Sequence, residues 1–194
     1  MTAPIRRIAV VTTSRADYGH LQWLLHALQA RPSVDLRVVA FGPHLSPEYG
    51  RTVDGVTADG FAVDAAIESL VSSDTDVGMA KSLGLATLGL ADAFARMRPD
   101  LLVVTADRYE MLAAASVALT LRVPIAHIEG GDRSEGAIDD AVRNALTKLS
   151  HLHFTTTETA RRRVLAMGEE PWRVHVRSEE HTSELQSRGL ISYA

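Results

Sequence analysis

Residues 100–154 read DLLVVTADRYEMLAAASVALTLRVPIAHIEGGDRSEGAIDDAVRNALTKLSHLHF. Two apolar runs inside this segment, 101–105 and 123–128, are bounded by turn formers and are too short for helices, so both predict buried strands. Each ends in charge: Asp107-Arg108-Tyr109-Glu110 follows the first, Glu129-Gly130-Gly131-Asp132-Arg133 the second. Helical patterns occupy 109–121 and 138–149. In the second, Ile138, Val142, Leu146 and Leu149 fall on one face, with Asp139, Asp140, Arg143 and Lys148 elsewhere. Strand and helix in alternation predict parallel pairing. In an open parallel sheet, ligands bind just outside the carboxyl ends of the strands, which is where these acids sit.

The same alternation extends in both directions. Upstream, residues 6–14 form a nearly all-apolar first strand, and a helix runs to about Arg31 with Leu21, Leu24, Leu25 and Leu28 on one face. Residues 34–42 give a second strand, 61–67 a third, and 52–59 a frayed helix between them. A loop at 72–76 ends in a helix N-cap, and the helix that follows, to Met97, carries Met79, Leu83, Ala86, Leu90 and Phe94 inward. Its glycines, Gly78, Gly84 and Gly89, either weaken it or allow close packing. Downstream, 151–156 is a strand, Thr157 caps a helix closed by Gly168, and 172–176 is a last short strand. The prediction is an α/β, doubly wound parallel sheet with right-handed crossovers.

Composition narrows the function. The 194 residues are 46% hydrophobic but only 5% aromatic, so the core is aliphatic. A net charge of −4 carries no nucleic-acid footprint. There is no cysteine, which removes disulfides, thiolate metal sites and a thiol nucleophile, and suits a reducing cytoplasm. No window approaches the apolar length of a membrane span. Residues 177–188 break the pattern: they are almost wholly polar, without periodicity, and match the translation of a common sequencing adapter. The expectation is that residues 1–176 are the domain, that 177–194 are a non-native tail, and that the native protein continues into a second domain.

Five motifs in order then resemble the hydrolysing UDP-N-acetylglucosamine 2-epimerase family. They are Ser14-Arg15-Ala16-Asp17-Tyr18; His44-Leu45 with Glu48-Tyr49-Gly50; Asp107-Arg108-Tyr109-Glu110; His127-Ile128-Glu129-Gly130-Gly131; and Ile138-Asp139-Asp140 with Arg143, Lys148 and His151-Leu152-His153. The resemblance covers Ile8 to Val176. It implies the first Rossmann-like half of a two-domain, GT-B-type fold with the active site in the cleft between halves. The missing half would supply a further histidine and most nucleotide contacts. The implied reaction converts UDP-GlcNAc and water to N-acetylmannosamine and UDP, at the start of sialic-acid synthesis. The implied partners are a UDP-sugar and further copies of the same chain, with no metal, no cofactor, no membrane and no nucleic acid. This chain alone would be an inactive fragment. Two alternatives share the fold: a non-hydrolysing epimerase, whose family carries Glu-Ala-Gly where this sequence has Glu129-Gly130-Gly131, and a GT-B glycosyltransferase. Two positions depart from the family pattern: Ala106 stands in place of glycine and Asn144 in place of histidine. Ala106 is tolerable unless the backbone there needs a positive φ.

Family chemistry resembles anti-elimination of UDP to a 2-acetamidoglucal followed by hydration, which needs carboxylates at the sugar and cations at the leaving diphosphate. Asp107, Glu129 and Asp139 are the candidate catalytic carboxylates. Asp107 and Glu129 each sit just past a strand end, and Asp139 near the start of the next helix; Asp107 would equally suit an N-cap, and Asp139 a first-turn acid facing the helix dipole. Candidate substrate contacts are Ser14, Arg15, Tyr18, Arg108, Gly130, Gly131 and Arg143, with Arg15 toward the diphosphate and Gly130 and Gly131 allowing close approach of the sugar or simply forming a turn. Arg108 would hold Glu129 or Glu110, or touch substrate. His127 reads as a core histidine. His151 and His153 alternate like a metal pair but lack a third ligand. Arg161-Arg162-Arg163 reads as a solvated face near Glu158.

Overall fold

The computed structural model describes residues 4–177. Seven short apolar runs form strands: β1 (Arg6–Thr12), β2 (Val34–Phe41), β3 (Val63–Ile67), β4 (Leu101–Thr105), β5 (Ile125–Ile128), β6 (Leu152–Thr155) and β7 (Val174–Val176). They pair in parallel in the order β3-β2-β1-β4-β5-β6-β7. Between them run α1 (Arg15–Gln29), α2 (Val53–Ala58), α3 (Asp76–Met97), α4 (Met111–Thr120), α5 (Asp139–Leu149) and α6 (Glu158–Ala166). The chain winds outward from β1 to β3, crosses back through α3, and continues outward on the other side from β4. The direction of winding reverses between β1 and β4, and the crevice outside their carboxyl ends is where such sheets bind ligands.

Period-two alternation puts the core on both faces of this sheet. Ala9, Val11, Val39, Phe41, Leu102, Val104 and Ile125 pack against α3, α4 and α5, while Val10, Val38, Val103 and Ala126 face α1 and α2. Thr157 caps α6 as the sequence suggests, accepting from the Ala160 N–H, while α3 is capped by Thr75, which accepts from the Gly78 N–H, so its cap lies one residue before the end of the 72–76 loop. Two of the α3 glycines are close-packing sites. A Cβ on Gly78 would lie 2.0 Å from the Ser73 hydroxyl, and one on Gly89 2.3 Å from Ile67, whereas Gly84 faces open space.

Several local expectations are corrected. Residues 171–173 form a 3-10 turn, not the start of β7, because Pro171 fixes its own φ and donates no ladder hydrogen bond. Ile138 and Met79 are 43% and 40% exposed, so neither faces the core. Arg143, expected on the polar face of α5, is buried at 5%. The polar tail, apart from Arg177, lies outside the described residues. Among the described residues no helix is long and apolar enough to cross a membrane.

Candidate active site

Thr105 is in register with Ile128, so Ala106 and Glu129 leave the sheet side by side. Both turn in the left-handed region, Ala106 at φ 57° and Glu129 at φ 66°. A positive φ is therefore what position 106 adopts, and alanine there costs about 1–2 kcal/mol relative to an unstrained backbone. The two turns carry the following loops over the strand ends, where they meet the first turns of α1 and α5 around a cleft of about 460 Å³.

All three candidate carboxylates border this cleft, each held differently. Asp107 is no N-cap, since α4 begins at Met111. Its Oδ2 pairs instead with Arg143 Nη2 and accepts from the Ser134 hydroxyl. Glu129 Oε1 accepts from His20 Nδ1 at 2.6 Å. Asp139 lies against Gly136, where an added Cβ would come within 1.9 Å of its Oδ2; Gly136 thus leaves the room its carboxylate occupies. No side-chain hydrogen bond to Asp139 is present among the described residues.

Arg143 ties these loops together. It donates to the Glu129 carbonyl at 2.6 Å and to Ser134 Oγ at 2.8 Å besides pairing with Asp107. It reaches the cleft from inside the protein. Arg108 also borders the cleft and pairs with Glu110 at 2.7 Å, not with Glu129. Glu110 is itself buried, with Oε2 unpartnered.

The Ser14–Tyr18 motif divides. Ser14 is the N-cap residue of α1, but its hydroxyl donates to Asp17 instead of capping a backbone N–H. Asp17 organises the turn: it accepts from the Thr12 hydroxyl at 2.6 Å, the Thr13 N–H at 2.8 Å and the Thr13 hydroxyl. Arg15 is exposed in the first turn of α1 and does not line the cleft. Tyr18 turns away from it, packing under α1 with its hydroxyl donating to Asp59 at 2.7 Å; burial first, then that carboxylate, push its phenol well up. Gly130 and Gly131 also face protein. A Cβ on Gly130 would meet His127 and Thr147 at 3.1 Å, and one on Gly131, at φ 82°, would sit 2.3 Å from the Ala160 carbonyl oxygen. Glycine is required at 131 by the approach of α6, whereas at 130 His127 and Thr147 would have to shift by a few tenths of an ångström.

The histidines are mostly accounted for by structure. His127 is fully buried, donating from Nε2 to the Ala106 carbonyl with Nδ1 beside Thr147; burial pushes it down to about 4. His44 joins Thr52 to Thr12 through Nδ1 and Nε2, and burial again pushes it down. Thr12 spends its proton on Asp17, so His44 must donate from Nε2, which fixes its tautomer. His151 Nδ1 accepts from the Ile125 N–H and His153 pairs with Glu169, so the two serve separate partners. Arg161 pairs with Glu158, but Arg163 reaches back to the Gly131 carbonyl at 2.9 Å.

Sequence reasoning missed His20, Ser134, Gly136 and the anchoring role of Asp17. For Asp17 a signal existed: an acid three residues after Ser14 has the capping-box spacing. For Ser134, inside a loop, no local pattern marks the contact.

Comparisons with known proteins agree with this fold. The family model described as UDP-N-acetylglucosamine 2-epimerase matches residues 26–179. A hydrolysing GDP/UDP-N,N'-diacetylbacillosamine 2-epimerase of Campylobacter jejuni is 40% identical over 169 residues, 87% of this chain and 44% of that protein. A hydrolysing UDP-N,N'-diacetylbacillosamine 2-epimerase of Legionella pneumophila is 41% identical, over 85% of this chain and 44% of its own length. The solved structure of UDP-GlcNAc 2-epimerase from Neisseria meningitidis bound to UDP-GlcNAc matches with a TM-score of 0.78 at 20% identity, covering 88% of this chain and 45% of that one. The chain thus spans a little under half the length of the relatives it matches.

Proposed function

Because the chain belongs to the UDP-N-acetylglucosamine 2-epimerase family, we propose that it forms the N-terminal, carboxylate-bearing half of a hydrolysing 2-epimerase acting on a UDP-linked 2-acetamido sugar. One observation carries this reading: Asp107, Glu129 and Asp139, from two strand ends and a helix start, border one cleft at the switch point of the sheet. In the proposed reaction a carboxylate takes the C2 proton. The C–H electron pair becomes the C1–C2 double bond and the C1–oxygen bond breaks, releasing UDP. Water then adds across the double bond, hydroxyl to C1 and a proton to C2 from the opposite face. Asp107, paired with Arg143, acts as a fixed charge, and Glu129 and Asp139 handle the protons. Arg108 in the cleft, and Arg15, which lies outside the cleft at the start of α1 and would reach only a diphosphate extending beyond it, are the cations for the leaving group. Two UDP-sugars compete as substrate. The relatives at 40% and 41% identity favour a UDP-diacetamido sugar; the family description favours UDP-GlcNAc, giving N-acetylmannosamine. A cytoplasmic location, supported by the absence of cysteine, and a homo-oligomeric state belong to the same proposal.

The test is to restore the second half from the source gene and incubate the protein with each UDP-sugar in heavy water. Free UDP with the 2-epimeric sugar deuterated at C2 is expected, and Asp107→Asn, Glu129→Gln and Asp139→Asn should each lower kcat by about 10²–10⁴-fold. An epimer still attached to UDP would mean the non-hydrolysing reaction, and transfer of sugar to an acceptor a glycosyltransferase.

A further inference from the structure

His20 projects from the second turn of α1 to the edge of the cleft. Its imidazole reaches Glu129, 109 residues away in sequence, with Nδ1 2.6 Å from Oε1. Glu129 is then held at every polar point for which a partner is seen. Its N–H donates to the Phe154 carbonyl at 2.8 Å, its own carbonyl accepts from Arg143, and its carboxylate accepts from His20. The first two contacts fix a backbone already turned to φ 66°. They leave three side-chain torsions free, and among the described residues the imidazole is the one hydrogen-bond partner seen to restrain those. A carboxylate that must meet one hydrogen of a bound sugar needs that restraint, because a misplacement of about 1 Å costs on the order of 10²-fold in rate.

We infer that His20 is the positioning residue for Glu129, holding its carboxylate at the cleft from the rigid face of α1. The inference rests on the proposed function for its catalytic meaning, but the pair itself does not. The His20 side chain is half exposed and belongs to neither core cluster. Among the described residues, the other titratable and charged groups around the pair are Asp17 on α1, Asp107, Arg108, Tyr109 and Glu110 after β4, Asp139 and Arg143 on α5, and Arg177, which borders the groove on the other side of His20.

Two measurements test it. In the chain itself, imidazole NMR follows the titration of His20 in wild type and in Glu129→Gln. Loss of the carboxylate partner should lower the midpoint, since a facing anion favours the imidazolium. An identical midpoint in both proteins overturns the pair. In the protein carrying both halves, His20→Ala should lower kcat by on the order of 10- to 100-fold with little change in KM. His20→Asn, which keeps a donor near the position of Nδ1, should recover much of that loss. A wild-type kcat in His20→Ala overturns the positioning role. If the wild-type protein releases UDP from no UDP-sugar, the proposed function falls while the titration still decides the pair.

Discussion

Arg143→Met in the 194-residue chain tests the contact that joins the two carboxylate loops. The Arg143 side chain is 7% exposed and that of its partner Asp107 18%. Methionine keeps most of the buried stem and removes the charge, so packing changes little. What is lost is the ion pair, the 2.6 Å bond to the Glu129 carbonyl and the 2.8 Å bond to Ser134. Removing one partner of a fully buried pair costs about 3–5 kcal/mol. Asp107 opens partly to the cleft, so water recovers some of that; the orphaned Glu129 carbonyl adds about 1 kcal/mol. A net loss of about 3 kcal/mol follows, which lowers Tm by roughly 6–12 °C in a domain of this size. Circular dichroism melting reads it directly. In the cycle with Asp107→Leu, the double variant should recover at least half of the loss, because neither charge is then left alone. A single variant within about 2 °C of wild type, or a double variant as unstable as the sum of the singles, would refute the reasoning.

Gly131→Ala meets both a left-handed backbone and the Ala160 carbonyl oxygen 2.3 Å from the new Cβ, so urea unfolding should show a loss of at least about 3 kcal/mol. Ala106→Gly should act the other way, gaining up to about 1 kcal/mol, as relief of the left-handed cost exceeds the added flexibility of the unfolded chain; a destabilised variant would show that the φ of 57° is not strained. Acid should weaken the fold through His127, which stays neutral in the folded state down to about pH 4 while the unfolded imidazole takes its proton near 6.5. Its stabilisation is complete above pH 6.5 and is lost as pH falls toward 4, about 3 kcal/mol in all. His44 and His153, also pushed down by burial, act with the same sign. Denaturation at pH 7 and pH 4.5 should show the drop, and His127→Gln should flatten it.

The strands were readable because parallel strands buried on two faces must be apolar along their length, and few other elements are both so short and so apolar. Leu101–Thr105 came out with both ends correct, and Thr157 was found as a cap by residue type and position alone, whereas the cap expected at the end of the loop 72–76 falls one residue earlier, on Thr75. The burial of Arg143 has no local signal. Helical periodicity sends every charge on α5 to solvent, and this one is buried only because Asp107 arrives from 36 residues earlier in the sequence. The same holds for His20, an unremarkable polar residue on an exposed helix face until Glu129 meets it. Gly130 and Gly131 were read as allowing close approach of the sugar or forming a turn, and what closely approaches Gly131 in the structure is the Ala160 carbonyl of α6. Sequence patterns locate elements and turn chemistry, whereas pairing between distant charges has no local period to read.

Ala106 and Glu129 show how the fold keeps a strained site in place. Each is a non-glycine residue in the left-handed region at the end of a strand, and strain of this kind persists only where the surroundings over-determine it. Here they do. The Ala106 N–H donates to the Ile128 carbonyl at 3.0 Å and its carbonyl accepts from His127 at 2.9 Å. The Glu129 N–H donates to Phe154 and its carbonyl accepts from Arg143. Each strained residue thus has both backbone groups bonded, one to a neighbouring strand and one to a buried basic side chain. His127 and Arg143 therefore act as a pair of clamps: the first fixes the turn that delivers Asp107, and the second fixes the turn of Glu129 and binds Asp107 as well. Weakening either clamp should release its turn toward an ordinary β conformation and carry a carboxylate out of the cleft, so losses of stability and of site geometry should appear together in variants of these two residues.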